Sequence, residues 1–457
     1  MVKVKSKWVC QSCGYETAGY LGKCPECGSW GTFTEEVQSN VKTQNISPQG
    51  IFNNIEPSII SDIHIGEEVR ISTNISEFDR ILGGGLVQGS IVLIAGDPGI
   101  GKSTILLQTS GKLAKKGQKI LYVTAEESAG QLKLRANRLG VNEEKLYIYP
   151  QTNLESIRDQ IEKLQPDTVV IDSIQAIYSG TITSSSGSVS QIRECCSILM
   201  QIAKTKNITM LIIGHVTKDG NIAGPKVLEH MVDTVISFEG DKYKSYRILR
   251  SMKNRFGNTS EVGIFEMGSN GLTEVLNPNQ LFLNERSQEA IPGSAIIVTS
   301  EGTRPLLVEI QALVGTTPYP SPRRVTNGVD ISRLLQILAV LEKRVGLNLS
   351  KQDVYVNVMG GIEVDEPSAD LGIALAVATC ARDVVVDSQT VIIGEIGLSG
   401  EIHPVNNLDK RLNEAAISGF KKAIIPYANR DIKHEKIQTV PVKRLIDAIS
   451  ACISPVS

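Results

Sequence analysis

A phosphate-binding loop constrains the fold of this 457-residue chain more than any other feature. Residues 96–104 read Gly-Asp-Pro-Gly-Ile-Gly-Lys-Ser-Thr, which fits the pattern G-x-x-x-x-G-K-[ST]. An apolar run precedes the loop at 91–95, and a helical pattern follows it at 105–116. In this order of strand, loop and helix, backbone N–H groups and the helix N-terminus face the phosphates of a nucleotide. The loop therefore predicts an α/β domain that binds and hydrolyses a nucleoside triphosphate.

The loop and a later strand supply the predicted ligands of ATP and Mg²⁺. The candidate nucleotide-binding residues are Gly96, Asp97, Pro98, Gly99, Ile100, Gly101, Lys102, Ser103 and Thr104. Lys102 is expected to neutralise phosphate oxygens, and the Ser103 hydroxyl to bind Mg²⁺. Asp172 ends the apolar run 169–171 and is predicted to be the second Mg²⁺ ligand. Lys102 and Asp172 are therefore candidate catalytic residues.

Two carboxylates, Glu126 and Glu127, follow another apolar run. Hydrolysis needs a group that orients or deprotonates the attacking water, and a carboxylate at a strand end suits that role. Glu126 is predicted to be this catalytic group, with Glu127 as the second candidate. A solvated acidic turn without a catalytic role is the alternative.

Composition and hydrophobic pattern divide the chain into an N-terminal segment with four cysteines, a polar linker, an α/β core and a second α/β region. Their ranges are 1–33, 34–65, 66–275 and 285–457. In the core, short apolar runs alternate with helical patterns, which predicts βαβ units and a parallel sheet. The predicted strands lie near 91–95, 119–123, 168–172 and 209–214. The expected fold is thus an α/β ATPase core with a parallel sheet, flanked by a small N-terminal finger and a C-terminal α/β domain.

Charge and hydropathy limit the surroundings in which the chain is expected to work. The formal net charge is −2, so any DNA-binding surface must be a local patch. The basic start leads into a Cys cluster rather than an apolar segment, which predicts that there is no signal peptide. The longest apolar run, 371–379, is about half a membrane span. A cytoplasmic protein without a membrane partner is expected.

Four of the eight cysteines form two C-x-x-C pairs ten residues apart. These residues, Cys10, Cys13, Cys24 and Cys27, have the spacing of a tetrahedral Zn²⁺ site. About thirty residues bury too little apolar surface to fold alone, so Zn²⁺ would supply the missing stability. Redox-active dithiols are the alternative, but no thioredoxin-like βαβ pattern surrounds the pairs. Whether the finger contacts DNA or a protein stays open.

Three segments carry a resemblance to a known family. Residues 74–90, Asn-Ile-Ser-Glu-Phe-Asp-Arg-Ile-Leu-Gly-Gly-Gly-Leu-Val-Gln-Gly-Ser, resemble the segment ahead of the phosphate loop in RecA-like ATPases. Together with loop 96–104 and Lys253-Asn-Arg-Phe-Gly257, they are similar to the RadA (Sms) family of bacterial DNA-repair proteins. The four-Cys finger and a Lon-protease-like C-terminal region extend the resemblance over almost the whole chain. It implies a homo-oligomeric ring, expected to be a hexamer, that extends branched recombination intermediates on single-stranded DNA beside a RecA-type recombinase.

The resemblance also implies that Lys253 and Arg255 approach a nucleotide at a subunit interface. A cation from a neighbouring subunit stabilises the charge on a transferred phosphate. The stretch 241–257 holds six basic residues, one acid and interleaved aromatics, so contact with DNA is an alternative, and a solvated hairpin is another. Two further segments, 178–190 and 215–226, lie where RecA relatives place DNA-binding loops. The first of them could instead be a disordered linker.

The C-terminal region from 285 resembles the proteolytic domain of Lon, which uses a Ser–Lys dyad. Ser368 falls on the nucleophile position, but Asp409 stands where Lon has its Lys, and Lys410 is adjacent. A carboxylate at that position cannot supply the protonated amine that delivers a proton to the leaving group, so the domain is predicted to be proteolytically inactive, with Ser368 as a helix N-cap. A scaffold for ring assembly or DNA binding is expected. Candidate phosphate contacts are Arg304, Arg323, Arg324, Lys343, Arg344 and Lys351.

These features favour a DNA-dependent ATPase motor in homologous recombination and DNA repair. One alternative is an ATP-dependent Ser–Lys protease of the Lon type, against which Asp409 counts. Another is a KaiC-like signalling ATPase that binds no DNA, against which the finger and residues 253–257 count.

Overall fold

The computed structural model describes two compact units within the chain, 1–276 and 277–457. The residues that it describes are 5–38, 70–182, 184–215, 226–240, 246–283 and 290–454. Among these residues, no helix is both long and apolar enough to cross a bilayer.

A three-stranded antiparallel sheet forms the N-terminal finger. Its strands are β1 (Lys5–Cys10), β2 (Glu16–Thr17) and β3 (Phe33–Gln38), in the order β2-β1-β3. Because β3 runs to Gln38, the finger extends five residues into the segment that was predicted to be linker. The rest of that segment, 39–65, lies outside the described residues.

A nine-stranded sheet forms the core of the first unit. A short antiparallel pair, β4 (Arg70–Ile71) and β5 (Leu86–Val87), precedes this sheet in the chain. The strands of the nine-stranded sheet are β6 (Ile91–Gly96), β7 (Ile120–Thr124), β8 (Leu146–Pro150), β9 (Thr168–Asp172), β10 (Thr209–His215), β11 (Thr234–Glu239), β12 (Tyr246–Asn254), β13 (Val262–Gly268) and β14 (Gly271–Glu274). Their order is β14-β13-β12-β11-β6-β10-β9-β7-β8. The helices of this unit are α1 (Ser76–Ile81), α2 (Lys102–Lys115), α3 (Ala129–Arg138), α4 (Leu154–Leu164), α5 (Val189–Lys206) and α6 (Lys226–Met231).

The four strands predicted from apolar runs, β6, β7, β9 and β10, are confirmed within a residue or two. They form a parallel block with β8 and β11. Side chains on both faces of β6, β7 and β9 are buried, which explains why these strands show no polar alternation. The expected parallel sheet is confirmed in this block, and β12, β13 and β14 extend it in antiparallel pairs that the sequence did not predict. Such pairs need only short connections, whereas parallel pairs need a crossover.

A seven-stranded mixed sheet forms the core of the second unit. Its strands are β15 (Ser294–Glu301), β16 (Arg304–Thr316), β17 (Arg324–Asn327), β18 (Gln352–Val358), β20 (Thr390–Ile392), β23 (Lys422–Pro426) and β24 (Gln438–Val442), in the order β17-β18-β16-β15-β20-β23-β24. Shorter strands are β19 (Val385–Val386), β21 (Glu395–Ile396), β22 (Ile402–His403) and β25 (Ile453–Ser454). The helices are α7 (Pro278–Leu283), α8 (Ile331–Val340), α9 (Asp370–Arg382), α10 (Leu408–Ile417) and α11 (Leu445–Cys452).

The central helix α9 packs closely on this second sheet. Its residues 370–379 are all buried. A Cβ atom on Gly372 would lie 2.0 Å from Ile297 Cγ2 on β15, so only glycine lets the helix approach this closely. The turn before α9, at Pro367–Ala369, is therefore fixed against the sheet.

Candidate functional site

The phosphate loop connects the carboxyl end of β6 to the first turn of α2. Gly101 at the start of the helix has a φ of +123°, a conformation that side chains disfavour. A Cβ atom there would also lie 2.7 Å from Met267 Cε. Both observations explain the glycine before Lys102. The loop residues Asp97, Pro98 and Gly99 are exposed and can therefore meet a ligand.

The Lys102 ammonium lies inside this loop. The residue is 4% exposed, and its Nζ donates hydrogen bonds to the backbone oxygens of Gly96 (2.7 Å) and Asp97 (2.8 Å). Burial lowers the pKa of Lys102 to about 8, against the opposing effect of Asp172 and other nearby carboxylates. A buried cation whose hydrogen-bond partners are loop carbonyls is placed to exchange them for phosphate oxygens.

Asp172 is buried at the carboxyl end of β9, as predicted. Its Oδ2 accepts a hydrogen bond of 2.8 Å from the Tyr122 hydroxyl on the neighbouring strand β7. Burial and the adjacent carboxylate raise the pKa of Tyr122 well above its usual value, so the phenol stays protonated and keeps donating. The bond therefore fixes the orientation of the carboxylate.

The two candidate carboxylates after β7 have different surroundings. Glu126 is exposed, and its Oε1 accepts a hydrogen bond from the Ser173 hydroxyl. The same oxygen lies 3.3 Å from His215 Nε2 at the end of β10. Glu127 instead forms an ion pair with Arg135 of α3. Glu126 thus lies with residues from two other strand ends, which favours it over Glu127 for orienting water.

Sequence reasoning missed three residues of this site, namely Tyr122, Ser173 and His215. Ser173 and His215 follow or end the apolar runs of β9 and β10, so their positions at strand ends were a usable signal. Tyr122 lies inside an apolar run, and nothing in the sequence separates it from an ordinary core aromatic.

Lys253 and Arg255 lie at the opposite end of the sheet from the phosphate loop of the same chain. Lys253 pairs with Val235 of β11, and Val235 pairs with Leu93, whereas Gly96 at the loop pairs with Phe238. The Lys253 Nζ donates to the backbone oxygens of Glu229 (2.7 Å) and Val232 (2.9 Å) around the end of α6. Burial lowers the pKa of Lys253.

The turn that contains these cations is anchored to the segment ahead of the phosphate loop. Arg255 Nη1 lies 3.3 Å from Asp233 Oδ1, and Arg70 Nη2 donates a 2.6 Å hydrogen bond to the Phe256 carbonyl. A Cβ atom on Gly83 would lie 3.1 Å from the Cα atom of Gly257. The structure thus brings together two of the three segments that carried the family resemblance.

The predicted DNA-binding segments are described only in part. The described residues of 178–188 form a loop, and residues 189 and 190 begin α5. The buried Gln191 of this helix donates to the loop carbonyls of Ser179 (3.2 Å) and Ser184 (2.9 Å). In the other two segments, residues 216–225 and 241–245 lie outside the described residues.

The four cysteines of the finger converge as a tetrahedral site requires. Their sulfur atoms all lie within 4.8 Å of one another, with 3.8 Å between Cys10 and Cys27 and 3.5 Å between Cys13 and Cys24. Tetrahedral Zn²⁺ with Zn–S bonds of about 2.3 Å separates its ligands by about 3.8 Å. The thiol set therefore fits Zn²⁺.

In the second unit, Arg411 rather than Asp409 faces Ser368. Arg411 is 1% exposed, and its Nη1 donates to Ser368 Oγ (3.2 Å) and to the Val298 carbonyl (2.7 Å). Its guanidinium also forms an ion pair with Glu366. Asp409 and Lys410 are exposed on the outer side of α10. Because α10 buries positions 408, 411, 412 and 415, position 411 is the one that reaches Ser368.

The expectation that Ser368 caps a helix is wrong. Ser368 lies within the turn Pro367–Ala369, and the N-cap of α9 is Ala369, with no side-chain cap bond. Among the candidate phosphate contacts of this unit, Arg324 donates to the backbone oxygen of Leu349 (2.8 Å), and Arg323 stacks on the Tyr319 ring at 3.8 Å. Both guanidinium groups thus already have partners within the unit.

Replacing Ser368 with alanine should leave ATP turnover, and any effect of DNA on it, within about twofold of wild type. The hydroxyl faces the Arg411 guanidinium and the Glu366 carboxylate. Glu366 is already held in an ion pair with Arg411. Against the opposing effect of burial, the hydrogen bonds and charge of Arg411 lower the pKa of the Glu366 carboxyl, so it is a weak base for the hydroxyl. Casein or labelled-peptide hydrolysis with ATP should remain at background in both proteins. ATP-dependent cleavage that disappears in Ser368→Ala would contradict the prediction.

Comparisons with known proteins agree with this architecture. Family models match at residues 67–221 (AAA domain), 8–35 (rubredoxin metal binding domain) and 331–429 (subunit ChlI of Mg-chelatase). The chain is therefore a P-loop ATPase that binds ATP and Mg²⁺ and carries a four-cysteine Zn²⁺ ribbon.

Relatives across nearly the full length identify the family. DNA repair protein RadA of Bacillus subtilis (strain 168) is 50% identical over 98% of this chain and 99% of its own. The RadA protein of Synechocystis sp. is 48% identical over 99% of this chain and 95% of its own. The chain belongs to the RadA family. A solved KaiC-like protein, PH0186 from Pyrococcus horikoshii OT3, is 25% identical, with a TM-score of 0.39, over 45% of this chain and 98% of its own.

Proposed function

We propose that this chain is a DNA-dependent ATPase motor that promotes branch extension on single-stranded DNA during recombination and repair. It works as a homo-oligomeric ring, a hexamer, on single-stranded and branched DNA beside a RecA-type recombinase. Work on chromosomal DNA would place it in the cytoplasm. The names of the full-length relatives support repair, and they favour neither a Lon-type protease nor a KaiC-like signalling ATPase.

The register of the nine-stranded sheet is the observation that supports a ring most directly. Lys253 and Arg255 lie at the end of the sheet away from the phosphate loop of their own chain. If they act on a nucleotide, as the family resemblance implies, that nucleotide must therefore belong to a neighbouring subunit. A cation supplied in this way accelerates phosphoryl transfer by about 10³- to 10⁵-fold in other NTPases.

The proposed chemistry assigns a role to each residue of the chain's own site. The backbone of 96–104 surrounds the phosphates, and Lys102 neutralises their oxygens. Ser103 and Asp172 would hold Mg²⁺, which stabilises charge on the phosphates when it is bound. Glu126 orients or deprotonates the attacking water, and Ser173 and His215 fix the position of its carboxylate.

The proposal is tested by measuring ATP turnover with and without single-stranded DNA at two salt concentrations. Stimulation by DNA that weakens at high salt is expected, because phosphate contacts release counterions. Turnover that is unchanged by saturating DNA at low salt would refute DNA dependence.

Replacing Lys253 with alanine should leave nucleotide binding intact and abolish the response to DNA. The chain's own phosphate loop is untouched, whereas the neighbour loses a cation. Mixing wild-type and Lys253→Ala subunits should lower turnover more steeply than simple dilution. Lys206→Ala, an exposed lysine at the end of α5, is the matched control.

A role in binding DNA phosphate gives a different result for Lys253→Ala. Turnover would then recover at saturating DNA, the mixing curve would be linear, and the salt slope of binding would fall by about one. Because Lys253 also satisfies carbonyls at the end of α6, thermal unfolding of the variant must first match that of wild type.

A further inference from the structure

The finger displays a tryptophan that its own fold does not need for a core. Trp30 is 74% exposed, and Tyr20 on the same finger is 56% exposed. The core of the finger is formed instead by Cys10, Cys24 and Phe33, with Trp8 and Cys13 packed against them. Tryptophan combines a large apolar face with a polar N–H group, which is why it is common at binding interfaces.

The backbone around Trp30 is fixed by the second zinc knuckle. Trp30 forms an antiparallel bridge with Lys23, directly before Cys24. Gly31 N donates to the Gly22 carbonyl (2.9 Å), and Cys24 N donates to the Ser29 carbonyl (2.8 Å). The indole thus lies on a turn whose backbone is already fixed, so stacking a ligand on it costs little conformational entropy of the protein backbone.

A cation accompanies the indole. The Lys23 Nζ lies 5.6 Å from the centre of the Trp30 ring. The ammonium lies over one face of the ring, so the opposite face is the one on which an unpaired base of single-stranded nucleic acid would stack, with its adjacent phosphate meeting the cation at the ring edge.

The position of the finger within the first unit favours DNA over a protein ligand. Gln11 Oε1 on the first knuckle accepts a 3.3 Å hydrogen bond from the backbone N–H of Val189, the first residue of α5. Residues 178–190, which end at this point, form one of the segments predicted to bind DNA. The finger therefore lies against a predicted DNA-binding loop.

We propose that Trp30 is a stacking platform for an unpaired base of single-stranded DNA, with Lys23 at the neighbouring phosphate. The inference rests on the proposed function, because it takes single-stranded DNA as the partner. It adds a binding site on the finger itself, independent of base sequence because every base has a π-face.

The chain offers a direct optical test, since it contains two tryptophans, Trp8 and Trp30. In a Trp8→Phe variant, Trp30 is the single indole, and titration with oligo(dT) of about twenty nucleotides should quench its emission. A blunt duplex of the same length, whose bases are already stacked, should quench it much less. In the reciprocal Trp30→Phe variant, the emission of Trp8 should change little.

Affinity measurements complete the test. Trp30→Ala should weaken oligo(dT) binding by about 5- to 150-fold, the range expected for the loss of one stacked base. Tyr147→Ala, which removes an exposed aromatic on β8, is the control. Lys23→Gln should lower the salt slope of binding by about one. Zinc content of each finger variant must equal that of wild type, and the Trp8→Phe titration stands even if Trp30→Ala does not fold.

The two hypotheses fail in distinguishable ways. If oligo(dT) stimulates ATP turnover but leaves the emission of Trp30 unchanged at saturation, the stacking platform is refuted and the motor stands. If oligo(dT) neither binds nor stimulates, both are refuted. Quenching by oligo(dT) together with weakened binding by Trp30→Ala supports the platform.

Discussion

Replacing Lys102 with alanine should reduce kcat for ATP hydrolysis by at least about 10²- to 10³-fold, the loss typical of one preorganised charge-stabilising donor. The ammonium is buried in the phosphate loop, where the backbone oxygens of Gly96 and Asp97 hold it until phosphate replaces them. Alanine removes the positive charge at the position where negative charge develops. Phosphate release from purified protein at saturating ATP and Mg²⁺ measures the effect.

The control for this variant is Lys115→Ala. Lys115 is exposed near the C-terminus of the same helix, away from the phosphate loop, so turnover should stay within about twofold. Nucleotide binding should weaken in Lys102→Ala alone. Near-normal turnover by Lys102→Ala would contradict the assignment of Lys102 as the residue that neutralises phosphate oxygens.

Replacing Arg411 with alanine should destabilise the second unit by about 3 kcal/mol, since removing one partner leaves the other charge buried and uncompensated. The guanidinium bonds with Glu366, Ser368 and the Val298 carbonyl, and thus connects α10 to β15 and to the turn before α9. Glu366 is about a quarter exposed, which places the expected loss at the lower end of the usual range. Scanning calorimetry of the whole chain should show the transition of this unit at a lower temperature.

Two further variants separate the ion pair from a general effect of mutation on α10. Lys410→Ala, exposed on the same helix, should change stability by no more than about 0.5 kcal/mol. Arg411→Met combined with Glu366→Gln removes both charges and should recover part of the loss. A loss for Arg411→Ala no larger than that for Lys410→Ala would show that the buried pair contributes little.

The sequence predicted the ATPase core well because its strands are buried on both faces. Such strands appear as uninterrupted apolar runs, and the runs at 91–95 and 168–172 match β6 and β9 closely. The antiparallel extension was missed, because β12 alternates buried and half-buried side chains and is rich in basic residues. That composition was interpreted as a possible DNA-binding stretch, although its strand pairing depends on β11 and β13.

In the candidate sites, the sequence located the functional segments but could not choose between residues one or two positions apart. The sequence has carboxylates at both 126 and 127. The ion pair of Glu127 with Arg135 shows that Glu127 has a partner on α3, which leaves Glu126 as the candidate for orienting water. In α10, alignment to Lon directed attention to Asp409, while the helical period of the apolar residues Leu408, Leu412 and Ala415 includes Arg411. A basic residue on an apolar helix face predicts a buried partner, and that signal was present in the sequence.

If the Lys253 turn acts on the nucleotide of a neighbouring subunit, as proposed, its separation from the phosphate loop also constrains assembly. A contact that joins these two ends of the sheet on neighbouring subunits uses two different surfaces, so it is head-to-tail rather than two-fold symmetric. Each subunit then holds one nucleotide and completes the site of another. In a closed ring every site is complete, whereas an open chain of the same subunits always has one incomplete site at its end. Ring opening, for example to admit a DNA strand, would therefore leave the site at the gap without the cations of its neighbour, and that site would lose its activity.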